Sequence, residues 1–299
     1  MIAKAMLWLA AAWVSMHASA SPLPVDASPT LQRIAQHQTI TVGHRDNEVP
    51  FSYLVDGRPV GYAIDLCMAV AKRIGERLGG APLDVHFVPV TPVNRFILLR
   101  KGEIDLECGV TTSTPERRQQ AAFSYPHFLT ATRYVALADN DMRTIADLAG
   151  RSVVSTTGTI NIEQLNELNR TQGLNIAVML SRSHDEAFAM VANGQATAFV
   201  MDDILLASLV TAAVSPQRFR ISEEAISEPQ PYGLMMPIED AVFAEVVNEA
   251  LYEHFQSGAI HTLYDQWFLQ PIPPENRVIG LPMSAELAAI LARPDAYAD

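Results

Sequence analysis

Apolar positions along this chain alternate between two periods. Over residues 61–78, Ile64, Met68, Ala71, Ile74 and Leu78 lie three or four apart, the stripe of a helix, and Gly79-Gly80 stops it. Short β-rich runs at 39–43 and 83–90 flank that helix, and a short helix at 93–99 leads to a strand at 104–108. A β-like run at 128–137 opens a second set: strands at 152–155, 176–180 and 198–201, and helices at 161–169, 185–192 and 203–214. Pro229-Gln230-Pro231 then leads into another β-like run at 232–236, and helices follow at 239–256, 260–268 and 284–291. Strands alternating with helices argue for parallel βαβ units. The alternation alone fits either one doubly wound sheet or two α/β lobes joined by the runs at 128–137 and 232–236.

The ends change the picture first. Lys4, an apolar stretch from Met6 to Val14 and the small residues Ala18-Ser19-Ala20 read as a secretory signal peptide over residues 1–20. The stretch is too short to span a membrane. Residues 21–30, rich in Pro and Ser, read as a loose leader. The remaining 279 residues (299 minus 20) suit two lobes of ordinary size. A net charge of −12 excludes the basic footprint of a nucleic-acid or anionic-membrane binder. Any anion site must therefore be built from local cations. The two cysteines, Cys67 and Cys108, one on an amphipathic helix and one at a strand end, read as separate buried thiols, with a bridge between them permitted by an oxidising compartment and left open. Scattered histidines and the lack of a CxxC pair argue against a metal site, and no cofactor motif appears.

The candidate chemistry centres on residues 107–126. A hydroxyl cluster, Thr111 to Thr114, precedes Pro115 at an expected first helical position, with Arg117 just inside. Such a start offers free N–H groups to an anion, and Arg117 adds a planar fork for a carboxylate. The plain alternative is a capped surface helix with a solvated arginine. Arg45 and Arg95 each follow a strand, where side chains reach a cleft. Read singly, Arg45 is a surface partner of Asp46 or Glu48, and Arg95 a solvated helix residue. Thr159 opens a helix after a Gly-Thr turn, and Asp202 ends a strand where a helix begins. Both positions suit N-capping as well as a ligand. His184 lies just before a helix, where a cap or surface histidine is the ordinary reading.

The ordered set Gly43-His44-Arg45, Val49-Pro50-Phe51-Ser52-Tyr53, Asn94-Arg95, Glu107 to Ser124, Gly158-Thr159, His184, Met201 to Leu206, Tyr232-Gly233 and Trp267-Phe268 resembles bacterial solute-binding proteins for polar amino acids. These are periplasmic receptors of ABC importers, and the marks are those of the glutamate/aspartate-binding subfamily. The resemblance covers nearly all of the chain after residue 20. It implies a type II two-lobed fold: lobe one over 21–131, lobe two over 132–231, and a return to lobe one over 232–299. It also implies a periplasmic, monomeric, non-enzymatic protein whose partners are an amino-acid ligand and permease subunits. Within that resemblance Arg117, Thr112 and Thr159 hold the α-carboxylate and Asp202 the ammonium. Arg45, Arg95 and His184 hold a distal carboxylate. Phe51 and Tyr53 suit an apolar wall over the ligand's methylenes and equally suit the core.

The chain departs from the subfamily at Pro92 and Val110, where serines are expected, and at Ile160 in place of a threonine. These changes leave glutamate, aspartate or another anion open as ligand. Two other classes stand beside the receptor. One is a dehydratase on the same scaffold using Glu48 or Glu107 as acid or base. The other is a soluble sensor domain for an anionic ligand.

Overall fold

The structure, a computed structural model, describes Leu23 and residues 25–297; the expected signal peptide lies outside the described residues. Two five-stranded sheets organise it. The first has the order Asp84–Pro89, Thr39–His44, Leu106–Glu107, Met235–Met236 and Ala122–Phe123. Its first three strands are parallel, and Met235–Met236 runs antiparallel to its neighbours. The second has the order Ala177–Ser181, Ser152–Thr156, Ala198–Asp202, Thr132–Leu137 and Phe219–Ile221. Its first three strands are again parallel, and Thr132–Leu137 is antiparallel to its neighbours. The expected strand–helix alternation is thus built twice, not wound into one sheet.

The two β-like runs are each broken near their middle. Phe128–Thr130 pairs antiparallel with Gln230–Tyr232 in a separate ribbon, while Thr132–Leu137 joins the second sheet and Met235–Met236 the first. Chain direction changes at Ala131 and Gly233. Both crossings carry aromatic side chains into one cluster. Phe51 stands 4.9 Å from Phe128, 5.5 Å from Tyr232 and 5.6 Å from Phe268, ring centre to ring centre. Phe128 stacks on Phe268 at 5.2 Å. Edge and offset pairs of this kind stabilise beyond their buried area by about 0.5–1.5 kcal/mol each. Phe51 and Tyr53 are therefore core, not ligand wall: Phe51 is fully buried in this cluster, and Tyr53 donates its hydroxyl to Pro273 O at 2.8 Å.

Four further expectations need correction. Cys67 and Cys108 form a disulfide, with Cα atoms 6.3 Å apart. The buried face of helix Tyr62–Arg77 lies over the end of strand Leu106–Glu107, which brings two distant positions together. Part of the expected leader is ordered: helix Pro29–His37 buries Leu31 and Ile34. Ser28 caps it, and Asp240 accepts from Ser28 Oγ (2.8 Å) and Thr30 N (3.0 Å). A hairpin, Asn47–Glu48, Ser52–Val55 and Arg58–Val60, has no counterpart in the periodicity reading. Finally, the expected helix after Pro115 is a single 3-10 turn, Arg117–Gln119, closed by Thr114 Oγ1 accepting from Arg117 N at 3.3 Å. That turn has too few aligned peptides to act as a helix-terminus anion site, which leaves the Arg117 side chain as what the segment offers an anion.

Candidate functional site

Six of the seven candidate residues lie at or after the carboxyl end of a strand; the seventh, Arg117, lies in the 3-10 turn Arg117–Gln119. Arg45 follows Thr39–His44, Arg95 follows Asp84–Pro89, and Thr112 follows Leu106–Glu107 in the first sheet. Thr159 follows Ser152–Thr156, His184 follows Ala177–Ser181, and Asp202 ends Ala198–Asp202 in the second. Open α/β sheets bind ligands at these ends. The two sets face each other: the Glu48 carboxylate, beside the first sheet, lies 3.2 Å from His184 Nε2 of the second and can accept from it. Asn47 bonds Asp185, and Tyr232 donates its hydroxyl to Asp202. At Gly158, with φ of +82°, an added Cβ would come within 2.9 Å of the Pro92 carbonyl carbon. A glycine is required there both for that φ and for the backbone approach.

All three arginines are buried, with 6% of Arg45, 2% of Arg95 and 8% of Arg117 exposed. The solvated readings of these residues therefore fail on exposure. Arg95 and Arg117 lie around one ring, their guanidinium carbons 5.5 and 5.9 Å from the centre of Phe96. Arg117 also donates to Thr112 O at 3.2 Å. Burial, then the neighbouring Arg117 charge, pulls Arg95 down to about 9. Burial likewise lowers Arg117, against the opposing pull of Glu163 and Asp202. Arg95 stays cationic at neutral pH, and its Nε is buried with no hydrogen-bond partner among the described residues. Two buried like charges around one ring, one of them incompletely bonded, give this part of the molecule a potential that favours an anion.

Asp202 is buried, and its carboxylate accepts from Asn161 Nδ2 at 2.7 Å and from the Tyr232 hydroxyl. Burial raises its pKa, while those two donors work to lower it. The capping alternative falls to its neighbour: Asp203 Oδ1 accepts from Ile204 N (2.7 Å) and Thr130 Oγ1 (2.7 Å). Thr159 does not cap either. Its hydroxyl donates to Thr156 O at 2.7 Å, and helix Ile160–Gln172 has no side-chain cap. His184 is the first residue of helix His184–Ala192, but Ser183 supplies the cap. The imidazole is 3% exposed and lies between Thr156 Oγ1 (2.9 Å) and Glu48 Oε1 (3.2 Å).

Two carboxylates that the sequence reading placed only as a surface partner of Arg45 or as the acid or base of a dehydratase also belong here. Glu48 is 1% exposed and forms an ion pair with Arg45. Its burial would raise its pKa, but Arg45 and then His184 hold it below the usual range. The approach is ionic more than directional, since Arg45 Nη1 makes no aligned hydrogen bond. Glu107 is fully buried and accepts from Thr111 Oγ1 at 2.9 Å; burial raises its pKa. An i,i+3 charge pair was readable at Arg45 and Glu48, but nothing local reveals that both are inside. Asn94 serves its own turn, accepting from Thr91 N at 2.7 Å.

The profile of the bacterial extracellular solute-binding proteins, family 3, matches residues 40–270. The chain belongs to this family. An L-glutamate/L-aspartate-binding protein of Pseudomonas aeruginosa is 35% identical over 291 residues, 96% of this chain and 95% of that one. A glutamate/aspartate import solute-binding protein of Escherichia coli K12 is 35% identical over 275 residues, 90% of this chain and 91% of the other. Among solved structures, an ancestral arginine-binding protein bound to arginine is 27% identical at a TM-score of 0.69, over 77% of this chain and 98% of that one. An ancestral amino-acid-binding protein, a precursor of cyclohexadienyl dehydratase, is 26% identical at a TM-score of 0.70, over 81% and 99%. These likenesses carry the two-lobed fold of periplasmic amino-acid-binding proteins. The curated family relatives are solute-binding proteins, which favours a receptor over the dehydratase and sensor readings. Among the described residues no helix is long and apolar enough to cross a membrane.

Proposed function

We propose that this family member is a periplasmic receptor that captures an acidic amino acid, glutamate or aspartate, and delivers it to the permease of an ABC importer. The observation that carries the reading is the set of three buried arginines opposite a buried aspartate at facing strand ends. Arg117, with Thr112 and Thr159, takes the α-carboxylate; Asp202 takes the ammonium. Arg95, Arg45 and His184 take the distal carboxylate. Two arginines near one end suit a carboxylate better than an amide, which would leave a buried cation poorly compensated. Lobe one comprises 21–131 and 232–299 and lobe two 132–231, with the crossings near Ala131 and Gly233 as hinge. A ligand touching both lobes favours the closed form, the form a permease would recognise.

Calorimetric titration of the mature protein, unfolded and refolded to remove carried-over ligand, tests this. Glutamate or aspartate should bind tightly. A C4 dicarboxylate lacking the amine should bind far more weakly because Asp202 would face no cation. Failure of both acidic amino acids to bind would overturn the reading and move the search to other anions and to turnover.

A further inference from the structure

The distal end of the site already contains a carboxylate. Glu48 is buried, ion-paired with Arg45 and in contact with His184, the groups that the receptor reading assigns to the ligand. Its second oxygen, Oε2, is buried with no hydrogen-bond partner among the described residues. The charges of the site can be summed from its buried members. Arg45, Arg95 and Arg117 are opposed by Glu48, Glu107 and Asp202. Written with all six ionised, three cations against three anions leave nothing over; of the three carboxylates it is Glu48 that its cationic neighbours hold ionised, while burial pushes Glu107 and Asp202 toward their neutral forms. An amino acid with an uncharged side chain brings a balanced ammonium and carboxylate and keeps that balance. An acidic amino acid adds one uncompensated negative charge in a water-poor site, where such a charge is costly.

We infer that Glu48 is an internal anion that competes with the ligand's distal carboxylate for Arg45 and His184, so that an acidic amino acid enters the site together with one proton. The inference rests on the receptor reading above. The proton is taken by the Glu48 carboxylate, whose Oε2 is buried without a hydrogen-bond partner among the described residues, as is Oε1 of the neighbouring Glu107. The other charged or titratable groups facing Glu48 are Arg45 beside it, Arg95 from helix Arg95–Arg100, Glu107 at the strand end and Tyr232 from the crossing. His184 faces Thr156 and, at longer range, Asp202. Arg45 and Arg95 already favour the ionised Glu48, so the added negative charge of the ligand is what tips it. Glu48 thereby limits how strongly the site prefers glutamate over glutamine.

The test is calorimetry at pH 7 in two buffers of different ionisation enthalpy, with glutamate, aspartate and glutamine. The wild-type protein should take up about one proton with either acidic ligand and none with glutamine. Its affinity for glutamate should fall from pH 6 to pH 8 while that for glutamine stays flat. In E48Q the uptake should vanish. Glutamate affinity should rise about tenfold, the scale of one charge-assisted hydrogen bond, with glutamine changed by less than about threefold. If wild type binds glutamate without proton uptake, or if uptake persists in E48Q, the competition is wrong and the receptor reading stands. The wild-type arm decides the matter even where E48Q does not fold. If none of the three ligands binds either protein, the receptor reading falls and this inference falls with it.

Discussion

The two ends of the site are built from similar residues and differ in what they leave available. At one end Arg117 touches a backbone carbonyl and shares Phe96 with Arg95, while Asp202 is held by two neutral donors, Asn161 and Tyr232. Cation and anion there form no salt bridge with each other among the described residues and are bonded to neutral groups. At the other end Arg45 is already paired with Glu48, and His184 leans on the same carboxylate. A cation that is buried and braced by neutral groups is available for a ligand. A cation that is buried and paired must first be released. Residue type alone does not separate these cases; the partner does.

The largest test of this contrast is Arg117→Ala. It should abolish amino-acid binding, since it removes a charge-assisted contact of about 1.5–3 kcal/mol and leaves a buried anion unpaired. Arg45→Ala should cost ligand binding less, because part of the Arg45 charge is already engaged by Glu48; what it does cost comes chiefly from the Glu48 carboxylate left buried and unpaired. Equal losses in calorimetry would erase the distinction between the two ends. Next comes the floor beneath both. Replacing Cys67 and Cys108 together by Ala opens a loop of 41 residues and should lower unfolding stability by about 4 kcal/mol in denaturant titration. The ratio of glutamate to glutamine affinity should not change, since the bridge supports neither end in particular. Arg95→Ala should weaken acidic ligands by about 1.5–3 kcal/mol and amides less. The same loss for glutamate and glutamine would move Arg95 out of the distal end.

The smallest effect lies outside the site. His127 is fully buried beside Tyr62 and Tyr232 with neither ring nitrogen bonded among the described residues, and burial pulls it down to about 3. Below its unfolded value of about 6.5 the unfolded chain binds a proton that the folded one refuses. Stability from this group is therefore complete above that pH and declines as pH falls toward 3, by up to about 1.4 kcal/mol per unit. His127→Phe should make stability less pH-dependent between pH 6 and 4, with ligand affinity unchanged. A slope as steep as wild type would assign the acid sensitivity elsewhere.

Elements with a clear period were legible before the structure. The stripe of Tyr62–Arg77 and the strand–helix alternation of both sheets follow from local patterning. What escaped depends on partners far away in sequence. Helix Pro29–His37 is short and polar on average, and it is anchored by Asp240, which no local window contains. The Cys67–Cys108 pairing needed the helix to be laid over the sheet. The hairpin before Tyr62 did leave a signal: Asp56-Gly57, both with positive φ, is a dipeptide that favours a tight turn between strands. At the site, the residues with recurring motifs were legible by resemblance. Glu48 was not, because its meaning lies in its burial.

The backbone contact between Gly158 and Pro92 carries one more consequence. In the proposed receptor this approach would be a hard stop to lobe closure, and a hard stop would make the closed cleft a gauge. A ligand one methylene shorter would not be met by further approach of the lobes; it would rattle, and water or a longer side chain would take up the slack. A ligand one methylene longer would hold the lobes ajar. With Gly158 in place the setting of the gauge belongs to the main chain, and the side chains around it decide only which charges the measured object must carry.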